Sequence, residues 1–461
     1  MTRRFVTLFL ATGISACSMA PHDLRPALPV AASWPTGDAY LKQAEAPLPT
    51  VNHNDIFRDL RLQQLITLAL ANNRDLRVAA ANIAAARARF QIQHAELLPE
   101  VDAAASYRDT RGASNASVSL GVTAFEIDLF GRVRSLNNAA QDRYFATEAA
   151  AHATRLALVS DLTTTWLTYA SDRSLLKIAQ DTAASARRSV ALTKARLDGG
   201  IAPRSDLDQA NSILQTALSD EARQTTAVAQ DVNALELLVG TTMNPALLPL
   251  SIEEAAPTIA EMPAGLDSRV LLRRPDVVQA EQNLRAANAE IGAARAQLFP
   301  HISLTTLLGF ASNGLSNLFT GGSFSYSVTP NVTLPIFSAG AGKATVAQSR
   351  AQRDAALASY EKTIQTAFRE VADALARRGT ITDQERAQRA LADAARDNYT
   401  LADARYRGGI ETFLQSLDAQ RSLYAAQRSL VATELTKATN LVALYRTLGG
   451  DSRLDPADSG N

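Results

Sequence analysis

The sequence predicts a mainly α-helical chain with a transmembrane β part, built from two copies of one pattern. Three observations carry this: long segments free of helix breakers, four alternating stretches near ten residues each, and a self-similarity spanning half the chain. Residues 132–198 contain no Gly or Pro, and a continuous helix there would span about 100 Å at 1.5 Å per residue. Residues 410–448 lack both breakers too, and Ile410, Leu417, Tyr424, Val431, Ala438 and Tyr445 recur at every seventh position, a coiled-coil-like seam. Such helices cannot bury a face alone and must line up against others. Only 6% of residues are aromatic while 46% are hydrophobic, so small Ala supplies much of the apolar content, as closely packed helices require.

Composition also excludes whole classes of function. The 46 Lys+Arg balance 46 Asp+Glu, which leaves no basic footprint for nucleic acid. One Cys rules out an intrachain disulfide framework and a Cys-rich metal cluster. His22, His53, His94, His152 and His301 are scattered, with no pair at metal-ligand spacing. No Ser–His–Asp or Cys–His arrangement, carboxylate cleft or phosphate loop stands out, so neither an enzyme nor a cofactor site is expected. Mature methionines are confined to Met19, Met243 and Met262, giving no thioether ladder for copper.

From the N-terminus, Arg3 and Arg4 precede the apolar run Phe5–Leu10 and then small residues, which describes a signal peptide over 1–16. The run is too short for a permanent membrane helix, which needs about 20 apolar residues. Ile14–Ser15–Ala16–Cys17 resembles a bacterial lipobox, which implies a lipid on Cys17 and no other prosthetic group. Ser18 follows, where Asp resembles an inner-membrane retention signal, so the outer membrane is favoured. Residues 17–50 then read as a lipidated, Pro-rich, extended tether.

The remainder repeats. Asn73–Arg74–Asp75–Leu76 returns as Arg274–Pro275–Asp276–Val277 and Leu97–Leu98–Pro99 as Leu298–Phe299–Pro300, both 201 residues later. Ala195–Arg196–Leu197–Asp198–Gly199–Gly200–Ile201 returns as Ala404–Arg405–Tyr406–Arg407–Gly408–Gly409–Ile410, 209 residues later. Two copies of so long a unit are duplicated halves, 51–260 and 261–450, with a tail at 451–461. Each half reads helix, paired strands, very long helix, Gly–Gly turn, very long helix. In the first hairpin, 101–125, Val101, Ala103, Ala105 and Tyr107 alternate with Asp102, Ala104, Ser106 and Arg108, and Val118, Leu120, Val122 and Ala124 with small or polar residues. In the second, 301–334, one face carries Ile302, Leu304, Thr306, Leu308 and Phe310, then Phe324, Tyr326, Val328, Val332 and Leu334. The expected turns are Gly112–Asn115 and Ala311–Gly322. Residues 302–342 hold no charged side chain, yet Gly309, Gly314, Gly321, Pro330 and Pro335 argue against a spanning helix.

Ten residues suit a tilted bilayer-spanning strand. Four strands cannot close, and an open edge in lipid leaves backbone groups unpaired at several kcal/mol each. Closure therefore needs several chains: two copies give eight strands around a side-chain-filled lumen, and three give twelve around a water-filled passage. Three is the reading adopted, a homotrimer in outer-membrane lipid.

Phe125–Glu126–Ile127–Asp128–Leu129–Phe130–Gly131–Arg132–Val133–Arg134 resembles the strand-to-helix signature of the outer-membrane factor family of tripartite efflux pumps, the TolC-like, NodT-type lipoproteins, with Phe125 where Trp is usual. Leu271–Val277, Glu290–Ala296 and Ala367–Leu375 resemble its second-half signatures, and the likeness runs from Cys17 to about Gly450. The family's tandem Trp is absent near His53–Asn54, and Leu24 stands where Tyr is common. The resemblance implies a trimeric twelve-stranded β-barrel continuous with a long periplasmic α-helical barrel. It implies a passive exit duct for small toxic compounds, served by a periplasmic adaptor and an RND-type inner-membrane pump. A type I protein-secretion duct and a non-pore periplasmic scaffold stay open as alternatives.

By the same resemblance the Gly–Gly turns are periplasmic tips that meet the adaptor, through Arg196, Gly199, Gly200, Ile201, Arg405, Gly408, Gly409 and Ile410. Gly is expected at both positions of each turn because it tolerates positive φ. Leu414 and Asp418, four apart on one helix face, match the positions that narrow the tunnel. Three Asp418 would repel anions and attract cations. The plainer reading pairs Asp418 with Arg421. Asp208 is taken as the first-half counterpart of Asp418 after a one-residue slip, and Asp206 as a partner for Arg405 or Arg421.

Overall fold

A computed structural model of the chain describes residues 19–21, 26–40, 52–261 and 268–450. The signal segment, Cys17 and the tail 451–461 lie outside the described residues. Short helices α1 (His53–Ile56) and α2 (Leu60–Asn72) precede α3 (Arg74–Ala95), β1 (Val101–Thr110), β2 (Ala113–Glu126), α4 (Arg132–Asp198) and α5 (Arg204–Val239). After α6 (Ile252–Ala255) the order recurs as α7 (Pro275–Ala296), β3 (His301–Ser312), β4 (Phe324–Thr333), α8 (Ala341–Arg407) and α9 (Phe413–Thr447). The breaker-free stretch 132–198 is α4 from end to end, and α8 matches its 67 residues. No helix among the described residues is long and apolar enough to cross a membrane.

The chain forms two compact units, and each draws on both sequence halves. The first takes Met1–Leu28, Ala80–Ala150 and Asp276–Thr363. Its centre is one antiparallel sheet in the order β1-β2-β3-β4. Apolar residues face apolar residues in register, Val101 opposite Val122, Leu120 opposite Leu308 and Ile302 opposite Val332. β1 turns into β2 within Arg111–Gly112, because Gly112 at φ +96° lets the chain reverse and Arg108 still finds Asn115. The turn expected over Gly112–Asn115 is therefore two residues long, with 113–115 already in the strand. β3 likewise runs on to Ser312 before a loop with a 3-10 turn at Leu315–Asn317.

Where β2 meets α4, Arg132 donates to the Glu126 carboxylate, and the Asp128 carboxylate accepts from the Arg134 backbone N–H at 2.9 Å and from its Nε at 3.2 Å. Phe130 stacks on Phe299 at 4.9 Å. The two equivalent helices differ: α7 buries ten residues, including Ala286 and Ala289 against Ala139, whereas α3 buries none.

The second unit takes Pro29–Ala79, Ala151–Pro275 and Ile364–Asn461. Its core holds Leu62, Leu65, Leu162, Trp166, Leu235, Ile252 and Leu271, all nearly inaccessible. Phe57 packs edge-on against Tyr445 at 5.0 Å. The buried Arg274 donates to Thr447 O at 3.0 Å and Glu370 at 2.9 Å, satisfying a carbonyl at the end of α9 with a cation. Two stretches of the supposed tether are laid onto helices. In this unit Trp34 stacks on Phe368 at 5.1 Å, and a Cβ at Gly379 of α8 would lie 2.0 Å from Ala39 O. In the other, Asn288 and Arg295 of α7 donate to the carbonyls of Pro21 and Met19 at 3.0 and 2.9 Å. Proline content hid this, because one buried Trp outweighs several extended prolines.

Candidate functional site

The two Gly–Gly turns are copies in atomic detail. Gly200 N–H donates to Leu197 O at 2.9 Å and Ile201 N–H to Arg196 O at 2.8 Å; Gly409 N–H donates to Tyr406 O at 3.0 Å and Ile410 N–H to Arg405 O at 2.9 Å. Each is a Schellman stop, which needs one left-handed residue. Gly200 at φ +70° and Gly409 at φ +73° supply it, whereas Gly199 and Gly408 are not in that region. The expectation of two strained positions per turn thus reduces to one. Ile201 and Ile410, just past each stop, are 80% and 71% exposed. Ile410 belongs to this turn and not to the α9 seam, of which Leu417, Val431, Ala438 and Tyr445 are buried.

Behind the turns, the ends of all four long helices share one core of Ala186, Ala210, Ile213, Tyr406, Phe413 and Leu417. The Tyr406 ring lies against Phe413 at 5.2 Å and beneath the Arg196 guanidinium at 4.3 Å. Arg196 Nη2 also donates to Tyr406 O at 3.1 Å and Arg407 O at 3.3 Å, placing a cation on the carbonyls that end α8. Arg196 therefore joins the two hairpins. Arg405, its counterpart, turns back onto Glu411 at 2.8 Å instead. Asp206 takes neither Arg405 nor Arg421 within the chain.

Leu414 and Asp418 lie on the exposed face of α9, opposite Phe413 and Leu417, with Leu414 61% exposed. Among the described residues neither Asp418 nor Arg421 has an ion-pair partner, so the surface pair between them does not form. The helices also align without a slip. α4 maps onto α8 and Gly240 onto Gly449 at one offset of 209, which sets Gln209 against Asp418 and the exposed Asp208 against buried Leu417. Asp208 instead meets Arg204 at 3.8 Å. The apolar–acidic pair thus belongs to the second hairpin alone.

Sequence reasoning missed two carboxylate sites in the same unit. Burial, then the charge of Asp172, then their shared hydrogen bond push Asp231 up to about 7. Burial, then Glu253, push Glu434 up to about 7, although Arg389 sits 2.7 Å away. Asp172 and Asp231 come from separate helices, and only a pairing of α4 with α5 reveals them.

The family model for the outer membrane efflux protein matches residues 65–241 and 266–450. The chain belongs to the outer membrane efflux protein family. It is 44% identical over 459 residues to the toluene efflux pump outer membrane protein TtgC of Pseudomonas putida, covering 96% of this chain and 94% of that protein. It is 40% identical over 455 residues to the outer membrane protein OprJ of Pseudomonas aeruginosa, covering 96% and 95%. The open state of the MtrE outer membrane channel of Neisseria gonorrhoeae superposes with a TM-score of 0.86 at 32% identity, covering 95% of this chain and 99% of that one. The matched segments of this outer membrane efflux protein include both Gly–Gly tips, and between them they take in all four strands.

Proposed function

We propose that three copies of the chain close a twelve-stranded barrel in the outer membrane, continued by a periplasmic tunnel of long helices, as a passive exit duct. One observation carries this: a four-stranded sheet with both edges open and large apolar side chains uncovered. β1 and β4 are exposed along their whole length, with Tyr326 75% and Val332 62% exposed. In water such a sheet would aggregate; in lipid its edges must be paired. A lipid on Cys17 would hold each copy at the membrane. Ile201 and Ile410, held outward by the two Schellman stops, suit an adaptor that delivers cargo from an inner-membrane pump. The toluene efflux relative favours small apolar or toxic compounds over folded proteins as cargo. No chemical step is assigned to the chain.

Leu414 and Asp418 form the aperture in this reading, because among the described residues their face of α9 is left exposed. Threefold symmetry gathers three apolar and three acidic side chains into a ring. Removing both with Leu414→Ala and Asp418→Ala is expected to raise single-channel conductance in planar bilayers and weaken cation preference. Conductance and selectivity equal to the parent protein would remove the aperture assignment.

A further inference from the structure

The charge-free stretch 302–342 contains Asn313–Gly314, the single Asn–Gly pair of the chain. The pair follows β3 directly, in a bend before the 3-10 turn at Leu315–Asn317. Asn313 is exposed. Among the described residues neither its side-chain amide nor the Gly314 backbone N–H has a hydrogen-bond partner. The carbonyls around them are held. Ser114 Oγ of β2 donates to Asn313 O at 2.9 Å. Ser312 Oγ donates to Gly314 O at 2.6 Å, and the Asn317 N–H donates to the same oxygen at 3.2 Å. The loop is thus anchored through its oxygens, while the amide and the neighbouring N–H are left free.

This arrangement suits an intramolecular reaction of a thermolabile side chain. When the Gly314 N–H loses its proton, negative charge spreads over the nitrogen and the Asn313 carbonyl oxygen of the same peptide. A hydroxyl donor on that oxygen stabilises the anion in the manner of an oxyanion hole. Gly314 has no Cβ to shield its nitrogen from Asn313 Cγ.

We propose that Asn313 is a self-modification site, with the Gly314 nitrogen as nucleophile and the Ser114 hydroxyl as the donor that sets the rate. A bond forms from Gly314 N to Asn313 Cγ, and the Cγ–Nδ2 bond breaks. The side-chain nitrogen leaves as ammonia, taking up the proton that Gly314 gave to solvent. Water then opens the five-membered imide at Cγ or at the main-chain carbonyl, which leaves Asp or isoaspartate at 313. Water is the only co-reactant, and nothing is oxidised or reduced.

Each event puts the first charge into residues 302–342. α7 precedes β3 and α8 follows β4, so both helices adjoin the end of the hairpin away from this loop. In the duct proposed above, the loop therefore stands at the outer mouth, where three copies gather up to three new carboxylates. That location rests on the barrel reading; the reaction does not.

The full lipoprotein in outer-membrane vesicles, incubated in heavy-oxygen water at neutral and mildly alkaline pH, tests this by peptide mapping and mass spectrometry. Residue 313 is expected to become a mixture of Asp and isoaspartate carrying the heavy oxygen. Conversion should quicken as pH rises and run at least several-fold ahead of Asn317 and Asn331. Asn313→Gln and Gly314→Ala should abolish it over the same period. A Cβ at Gly314 would meet only Ser114 Oγ, at an ordinary 3.8 Å, so the loop is kept. Ser114→Ala should slow conversion several-fold, and Ser114→Thr, which keeps a hydroxyl, should restore it. An intact amide in the folded protein, under conditions where the urea-unfolded chain converts, overturns the site. Equal rates in Ser114→Ala and the parent overturn the role of the hydroxyl, and Asp without isoaspartate overturns the imide route. A native mass of one copy overturns the location at a mouth and leaves the modification standing.

Discussion

Asp231→Asn is the most informative single substitution in the helical unit. The folded protein keeps a proton on the Asp172–Asp231 pair until about pH 7, whereas a free Asp releases it near 3.8. Between those values the folded state binds the extra proton, so stability falls as pH rises from about 4 to about 7 and is flat beyond. Converted in full, that interval would be worth about 4 kcal/mol. The pair is only part-buried, and screening by water leaves about 1–2 kcal/mol. Burial raises the Asp172 carboxyl as well, opposed in part by its hydrogen bond with Asp231 and by the charge of Arg223, and Tyr169 feels the Asp231 charge. Asn keeps a hydrogen bond to Asp172 while removing the second negative charge. The repeat makes the same substitution, since Asn440 and Ile381 occupy the positions equivalent to Asp231 and Asp172 at the 209 offset. Thermal unfolding followed by circular dichroism at pH 5 to 8 should show Asp231→Asn equal to the parent at pH 5, more stable at pH 8, and with a flatter slope between. Identical slopes in the two proteins would refute the shared proton.

At the tips, Gly200→Ala or Gly409→Ala should cost about 1 kcal/mol through the left-handed backbone, while Gly199→Ala and Gly408→Ala stay near zero. Thermal midpoints of the four variants separate the two pairs. Gly379→Ala should gain about 1 kcal/mol from helix propensity alone, but the contact with Ala39 O reverses the sign and lifts residues 29–40 from α8. Iodide quenching reads this through Trp34, because Trp166 is fully buried; unchanged quenching would contradict the packed segment. Arg196→Gln should lose about 1–2 kcal/mol and Arg196→Lys recover less than half, since an ammonium cannot stack on Tyr406 and bridge two carbonyls together.

Much of the fold was legible because its signals are local. Breaker-free length marked α4, period two marked the strands, and Gly–Gly marked the stops. α8 was harder to read, because Gly342 and Gly379 interrupt it; Gly379 is kept by the crossing of Ala39 and Tyr40, and a long packed helix tolerates it. The short helices from 245 to 273 carry little periodicity and went unread. At the site, the turns and the Leu414–Asp418 face could be placed from spacing, but their chemistry could not. Arg196 meets Tyr406 across 210 residues, and nothing near either residue announces the other. The correct repeat offset could have been found by matching Gly240 with Gly449, which removes the slip assigned to Asp208.

A closed duct exists only if sister copies supply the missing walls of the sheet. Native mass spectrometry of the lipoprotein extracted from outer membranes measures this directly. Three times the mass of one lipidated chain, with no stable single-copy species, is the predicted result. A predominant single chain, soluble and folded with its hairpins in water, would contradict it.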